Sequence, residues 1–294
     1  MMSPQDAQAY CKDVSKNSGS NFYYSFLFLP PDRRDLMYTI YAFCREVDNA
    51  VDEPPAGSDP LDQVMLWRKE VTAAYEGTPS FPVTISLGHH LQHVDIPETY
   101  FQDLISGVAM DLTIKRYQTF EDLYPYCYRV ASVVGLICLK VFGTRAPEAT
   151  EYATNLGLAF QLTNILRDIG SDAENNRIYV PQEDFERFGY SEQDLLARQH
   201  TPEFVEFMKF QCERAREYYE KAQHILQTLP PTDRRSLIVA EIMRGVYSRI
   251  LDQIEAKNYQ VFGPRVSLPS LNRLLIAAGI WLRSSLFGST TQQA

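Results

Sequence analysis

The sequence predicts an all-α fold. Strand signals are nearly absent, apolar residues recur every three or four positions, and Pro or Gly punctuates the intervals between these runs. With 294 residues and 45% hydrophobic content, the chain has material for one large core. It contains no internal repeat, low-complexity tract or long flexible linker, so residues 1–294 read as a single helical domain.

The first clear helix follows Pro30-Pro31 and stops before Pro54-Pro55, spanning about 32–53. Leu36, Ile40, Phe43, Val47 and Val51 form its apolar stripe. Tyr41, Arg45, Asp48 and Asp52 share a different face. A second helix covers about 61–75, and weaker ones follow around 86–93 and 98–110. Thr119-Phe-Glu-Asp122 resembles a capping box with Asp in place of the usual Glu or Gln. It opens a long helix to about Val141, closed by Gly143 as a C-terminal cap. The next helix, about 147–169, is apolar nearly all round except on the face of Gln161, Asn164 and Asp168, which places it at the centre of the fold. Asp172 continues that face if the helix persists past Gly170. Two more long helices cover about 202–228 and 232–258.

Two Asp-x-x-x-Asp pairs stand out, Asp48/Asp52 and Asp168/Asp172; no other Asp has an Asp four residues later. That spacing puts both carboxylates on one helix face with Cβ atoms roughly 5–6 Å apart, where like charges destabilise the helix unless a cation lies between them. An isolated pair of this kind is ordinarily a solvated face. Here each pair lies in a largely apolar helix, with hydrogen-bonding residues on the same side. Burying unpaired carboxylates is costly, so a counter-ion is expected. Mg²⁺ favours oxygen ligands and shares them with substrate phosphates. The net charge of −9 argues against a nucleic-acid binder, and metal ions reconcile it with an anionic diphosphate substrate.

The five cysteines are odd in number with no C-x-x-C, and read as reduced, cytoplasmic core residues. No histidine lies in H-E-x-x-H or E-x-x-H, which disfavours zinc and di-iron chemistry. Residues 1–20 lack the apolar core of a signal peptide, and no stretch reaches the roughly 18–20 apolar residues of a membrane span. Leu274 to Leu282, flanked by Arg273 and Arg283 and followed by Leu286 and Phe287, suits either a membrane interface or a C-terminal helix packed on the body. On the helix from Tyr126, small residues Ala131, Gly135 and Cys138 form a stripe that suits either close helix packing or a groove for an apolar chain. Tyr126, Tyr128 and Arg129, near its start, are candidates to face the cleft. The 18 Tyr and 16 Phe also provide ring faces able to stabilise a carbocation. Metal, diphosphate, apolar groove and aromatics together imply ionisation of an allylic diphosphate and capture of the cation by a second prenyl chain.

At these residues the chain resembles the squalene/phytoene synthase family. Tyr41-Ala-Phe-Cys-Arg-Glu-Val-Asp48-Asn-Ala-Val-Asp52-Glu is similar to its first aspartate motif and Tyr126-Cys-Tyr-Arg-Val-Ala-Ser-Val-Val-Gly135 to its central helix motif. Phe160-Gln-Leu-Thr-Asn-Ile-Leu-Arg-Asp168-Ile-Gly-Ser-Asp172, continuing to Asn176-Arg-Ile-Tyr-Val-Pro181, is similar to its second aspartate motif. Ser18-Gly-Ser-Asn-Phe-Tyr-Tyr24 resembles its substrate-covering segment. The resemblance extends over about 15–268, leaving 269–294 as a tail. It implies an isoprenoid-synthase helical bundle with a central active-site cavity, coupling two prenyl diphosphates head to head. It further implies that Asp48, Asp52, Asp168 and Asp172 hold Mg²⁺ with help from Asn164. Arg45 and Arg265 would contact diphosphate oxygens, with Ser18 and Ser20 doing so from the N-terminal segment. Tyr41, Tyr126, Gln161 and Tyr247 would line the reacting centre. Ser132 departs from the Gly common in relatives, which implies a slightly narrower groove.

The wording Cys44-Arg-Glu-Val-Asp48 most resembles bacterial presqualene diphosphate synthases of hopanoid pathways. That subgroup implies two farnesyl diphosphates, release of diphosphate, no NADPH requirement, downstream squalene or hopanoid enzymes, and a cytoplasmic location with peripheral contact at the inner face of the cytoplasmic membrane. Alternatives are a phytoene synthase using geranylgeranyl diphosphate and an NADPH-dependent squalene synthase. A non-catalytic scaffold of the same fold is opposed by retention of all four aspartates, and a terpene cyclase by the lack of Asp-Asp-x-x-Asp.

Overall fold

Proline and short polar side chains set where the helices begin. The computed structural model describes residues 2–18 and 21–287, with the side chains of 21, 22, 24 and 283–287 outside the description. Helix α1 (Pro4–Asn17) is capped by Ser3, whose hydroxyl accepts from the Asp6 N–H. A short α2 (Asn21–Phe26) leads to α3 (Pro31–Asp52), which has Pro31 in its first turn, where a missing N–H costs nothing. Asp59 caps α4 (Pro60–Glu76), and α5 (Pro82–Leu91) again starts on proline. After α6 (Glu98–Thr113), Thr119 and Asp122 form the expected capping box at the start of α7 (Phe120–Cys127). A π-turn (Tyr128–Ser132) joins α7 to α8 (Val133–Phe142), and Gly143 closes α8 at φ 72°, a backbone conformation that suits glycine. The chain continues through α9 (Ala149–Glu174), short α10 (Gln182–Phe188) and α11 (Glu192–Leu196), and α12 (Pro202–Thr228). It ends with α13 (Pro231–Ser236), α14 (Ile238–Ala256) and α15 (Ser270–Phe287). No strand occurs among the described residues; Arg116 and Ile178 form a lone parallel bridge.

Helix α9 is the axis of the molecule. The π-turn, α8, α12 and α14 all pack on it, and its buried residues come from nearly every side. The predicted stripe of α3 is buried in the same hydrophobic cluster, which runs from Cys11 to Leu268. Gly157 lets α9 cross the π-turn closely: a Cβ there would lie 2.5 Å from Ser132 Cα and 2.7 Å from Ser132 N.

Several local features were not read from the sequence. The helix expected from Thr119 to Val141 forms as one continuous run, Phe120–Phe142, with the π-turn inside it, after Pro125, taking an extra residue into the helical ladder. The helix expected over 232–258 divides at Leu237 into α13 and α14. Helix α1 carries no large apolar stripe, because the residues it buries are Ala7, Cys11 and Ser15, which sit at helical spacing but are small. The continuous run Phe120–Phe142 is long and apolar enough to cross a membrane, contrary to the reading that no stretch is; half of its most apolar window is buried inside the fold. The five cysteines are free thiols.

Because Gly157 meets backbone rather than a flexible side chain, Gly157→Ala must push α9 away from the π-turn. Overpacking of this kind costs roughly 1–3 kcal/mol. The variant is expected to melt several degrees lower, as measured by thermal unfolding followed by circular dichroism.

Candidate active site

A cavity of about 590 Å³ opens between α3, the π-turn with α8, α9 and α14. Its depths are apolar, with Met37 and Ile40 from α3, Val134 from α8, Leu156 from α9, and Met243 and Ile250 from α14. Its mouth is polar and carries Arg45, Asp48, Gln161, Asn164, Arg167 and Arg265. Tyr41, Phe160 and Tyr247 lie between the two zones; the Phe160 and Tyr247 rings are 4.7 Å apart. The small stripe Ala131, Gly135 and Cys138 lines this cavity. Gly135 also packs on α9, where a Cβ would approach the Ala153 carbonyl to 3.0 Å, so the stripe serves packing and groove at once. Ser18 reaches the cavity from the end of α1, while Ser20 lies outside the described residues.

The two acidic faces meet at the mouth. Arg177, just past α9, donates to Asp52 at 2.7 Å and so ties the end of α9 to α3. Arg265 grips Asp168 with two hydrogen bonds of 2.8 and 2.7 Å, and Arg167 donates to the same carboxylate at 2.9 Å through Nε. Burial opposes ionisation of Asp168, but the Arg167 and Arg265 hydrogen bonds outweigh it and hold the carboxyl below its usual range. Among the described residues, Asp48 and Asp172 are gripped by no such arginine hydrogen bonds. Burial, then repulsion from Asp52, pushes Asp48 up to about 7; burial, then repulsion from Asp168, pushes Asp172 up to about 7.

A further carboxylate, Asp111 on α6, stands close enough to act electrostatically on Asp48 and Asp172, and Asp52 acts on it. It accepts hydrogen bonds from Tyr126 at 3.1 Å and Tyr179 at 2.9 Å, whose rings stack 4.9 Å apart. Its carboxyl is raised by burial, against the pull of Arg177 and both tyrosines. Sequence reasoning missed Asp111 because it has no Asp at i+4. The available signal was its register: it continues the buried positions Leu104 and Val108 of α6.

Several of the residues singled out in the sequence lie elsewhere than along the cavity wall. Tyr126 does not line the cavity; its hydroxyl is bound to Asp111 behind the acidic mouth. Tyr128 stacks on Tyr124, and Arg129 reaches the Met110 sulfur, so neither faces the cavity. Ser132 does not narrow the groove, because its hydroxyl turns to the Thr154 carbonyl at 2.8 Å. Of the paired aspartates Asp48 lines the cavity, and Asp168 is joined to it through Arg167 and Arg265, which both line it.

Among the described residues, no three His, Cys, Asp or Glu side chains form a ready-made metal cage. The donor set nonetheless fits Mg²⁺, which takes one or two carboxylates and completes its shell with water and phosphate oxygens. The donors are all oxygen. Asn164 Oδ1 is buried at the mouth and accepts no hydrogen bond among the described residues, and Asp48 and Asp172 carry repulsion that a cation would relieve.

An all-helical body around one acid-mouthed apolar cavity is the architecture of the isoprenoid-synthase helical folds. A squalene/phytoene synthase family model matches residues 15–272, and the chain belongs to that family. It is 38% identical over 296 residues to a 15-cis-phytoene synthase of Synechocystis sp., covering 97% of this chain and 87% of that protein. It is 37% identical over 298 residues to a 15-cis-phytoene synthase of Synechococcus elongatus, covering 97% and 96%. Among solved structures, a dehydrosqualene synthase in complex with ligand superposes with TM-score 0.84 at 28% identity, over 96% of this chain and 98% of that one. The squalene synthase HpnC from Alicyclobacillus acidocaldarius superposes with TM-score 0.79 at 28% identity, over 87% and 95%.

The raised carboxyl of Asp48 has a consequence for the metal-free protein. A carboxyl shifted above its unfolded range adds stability below about pH 4, and that contribution is lost as the pH rises through about 7. Asp48→Asn removes the loss. In EDTA at pH 8 the variant is expected to melt above the wild type, by roughly 2–4 °C per kcal/mol relieved. The gap is expected to shrink as the pH falls to 5, which melting curves across that range will check.

Proposed function

We propose that this chain is a phytoene synthase-type prenyltransferase, joining two geranylgeranyl diphosphates head to head with release of diphosphate and without NADPH. The observation that carries this reading is identity of 38% and 37%, across 97% of the chain, to two proteins named 15-cis-phytoene synthase. The cavity supports it with a polar mouth for diphosphates and a deep apolar interior for prenyl tails.

Asp48, Asp52, Asp168, Asp172 and Asn164 are the residues that would hold Mg²⁺, which supplies charge neutralisation to a diphosphate leaving group when bound. Arg45 and Arg265 offer guanidinium donors to diphosphate oxygens, Arg265 by exchanging its grip on Asp168 for the incoming anion. Ser18 adds a hydroxyl from the end of α1. Tyr41, Phe160 and Tyr247 present ring faces where an allylic cation develops, and the side chain of Gln161 orients the reacting ends. The apolar walls keep water from the cation. Tyr126, held by Asp111 behind the mouth, acts as a positioning residue.

A second reading is presqualene diphosphate synthesis from two farnesyl diphosphates, favoured by the wording Cys44-Arg-Glu-Val-Asp48 and by the similarity to HpnC. It differs in chain length and stopping point, while the acidic mouth serves both.

The test is product analysis by mass spectrometry after incubation with Mg²⁺ and each diphosphate. A C40 hydrocarbon from geranylgeranyl diphosphate alone supports the proposal. A C30 cyclopropyl diphosphate made only from farnesyl diphosphate overturns it in favour of the second reading. Turnover is expected to cease in EDTA and return with Mg²⁺. Asp168→Asn is expected to lower kcat by about 100-fold or more with native circular dichroism, since it weakens electrostatic stabilisation of the leaving group.

A further inference from the structure

Helix α3 has a second polar face that the acidic mouth does not use. Glu46, Asn49 and Glu53 lie roughly a third of a turn from Arg45, Asp48 and Asp52. They line a separate cavity of about 320 Å³ between α3, α4 and the start of α5. Most of its wall is apolar, with Trp67 from α4, Phe81, Pro82 and Val83 at the start of α5, and the ring of Tyr10 from α1. Trp67 is 6% exposed and meets the Phe81 ring edge-on at 5.1 Å, so this wall belongs to the core. Glu70 fixes it from behind, accepting from the backbone N–H groups of Ser80 and Phe81 at 3.0 Å each. The groove is therefore preformed.

Charge and spacing identify the occupant. Among the described residues, Glu46 and Glu53 are the only charged side chains lining this groove, and neither is in an ion pair. Glu46 accepts from the Tyr10 hydroxyl at 2.8 Å, which holds its carboxylate at one end. Glu53 caps the C-terminus of α3, whose last turn has no basic residue, and the partial negative charge of that helix end adds to its own. The two carboxylates are rooted about 10 Å apart along the helix axis at 1.5 Å per residue, with Asn49 on the same face between them. Carboxylates so spaced are poorly placed to share one metal ion, whose oxygen ligands lie within roughly 2.0–2.6 Å of it. They suit two cationic groups joined by a chain. The rings of Tyr10, Trp67 and Phe81 offer faces to ammonium groups and apolar contact to methylenes.

We propose that this groove binds a linear aliphatic polyamine, with one terminal ammonium on Glu46, the other on Glu53, and the carbon chain laid along Trp67 and Phe81. The groove shares α3 with the acidic mouth but shares no lining residue with the first cavity. The proposal stands independently of the proposed reaction.

The chain has two tryptophans, Trp67 and Trp281, so in a Trp281→Phe background the emission reports this groove. The intact protein is titrated at fixed ionic strength with spermidine, whose chain spans the two carboxylates, with putrescine, which is too short to reach both, and with Mg²⁺. Expected are a saturable change in Trp67 emission with spermidine and several-fold weaker binding of putrescine. Glu46→Gln/Glu53→Gln is expected to weaken spermidine binding roughly fivefold or more while keeping native circular dichroism, since Gln still accepts from Tyr10. Glu53→Lys alone, at the exposed end of α3, is a second variant expected to weaken binding in the same direction. Absence of a saturable change with spermidine overturns the proposal, as does unaltered spermidine affinity in both variants. Equal affinity for putrescine, or the same response to Mg²⁺, reveals a site for cations in general and overturns it too. None of these readouts depends on turnover, so failure of the proposed reaction is distinguished from failure of polyamine binding.

Discussion

Carboxylates brought together at the mouth of an apolar cavity set the terms for the rest of this molecule. Asp48 and Asp52 come from α3, Asp168 and Asp172 from α9, and Asp111 from α6. Burial, with their mutual repulsion second, pushes Asp48 and Asp172 toward neutrality. What keeps the faces together is a small set of arginines. Arg177 bridges from the end of α9 to Asp52, while Arg167 and Arg265 neutralise Asp168. The surrounding helices can tolerate that mouth because α9 is locked into the core along most of its length, with α12, α8, α14 and the π-turn all packed on it. Stability lost at the acidic rim is offset by apolar burial elsewhere, as is common where function requires a strained arrangement.

The cavity separates two kinds of work. Its walls come from helix faces chosen for small or flexible side chains, such as Ala131, Gly135, Cys138 and Met243. These leave room for hydrocarbon while Gly135 and Gly157 allow α8, the π-turn and α9 to approach at backbone distance. The mouth is built from charged and amide side chains supported from behind. Tyr126 and Tyr179 each donate to one oxygen of Asp111, which fixes that carboxyl close to the paired aspartates. A mouth so arranged handles anions only together with cations, which reconciles a chain of net charge −9 with diphosphate substrates.

Which prenyl diphosphates are joined depends on a different feature from the one that ionises them. The aspartate motifs concern the leaving group, and Cys44-Arg-Glu-Val-Asp48 is a local wording within one of them. Chain length is a property of the whole cavity, to which α3, α8, α9 and α14 contribute together. Similarity across 97% of the chain therefore weighs more for substrate length than five residues do, and it favours the phytoene reading.

Local periodicity, caps and spacing were enough to read the all-α class, the Thr119 capping box, the Gly143 cap, the extent of α12 and the acidic faces of α3 and α9. Each of these depends on residues within a few turns of one another. Tertiary structure alone decided which side chains meet across helices. It placed Tyr126 on Asp111 and away from the cavity, turned Ser132 to the Thr154 carbonyl, joined Arg265 to Asp168 across 97 positions, and left the outer face of α15 uncovered. A helix declares its own faces in its sequence, but which partner each face meets is settled by packing among segments distant in the chain.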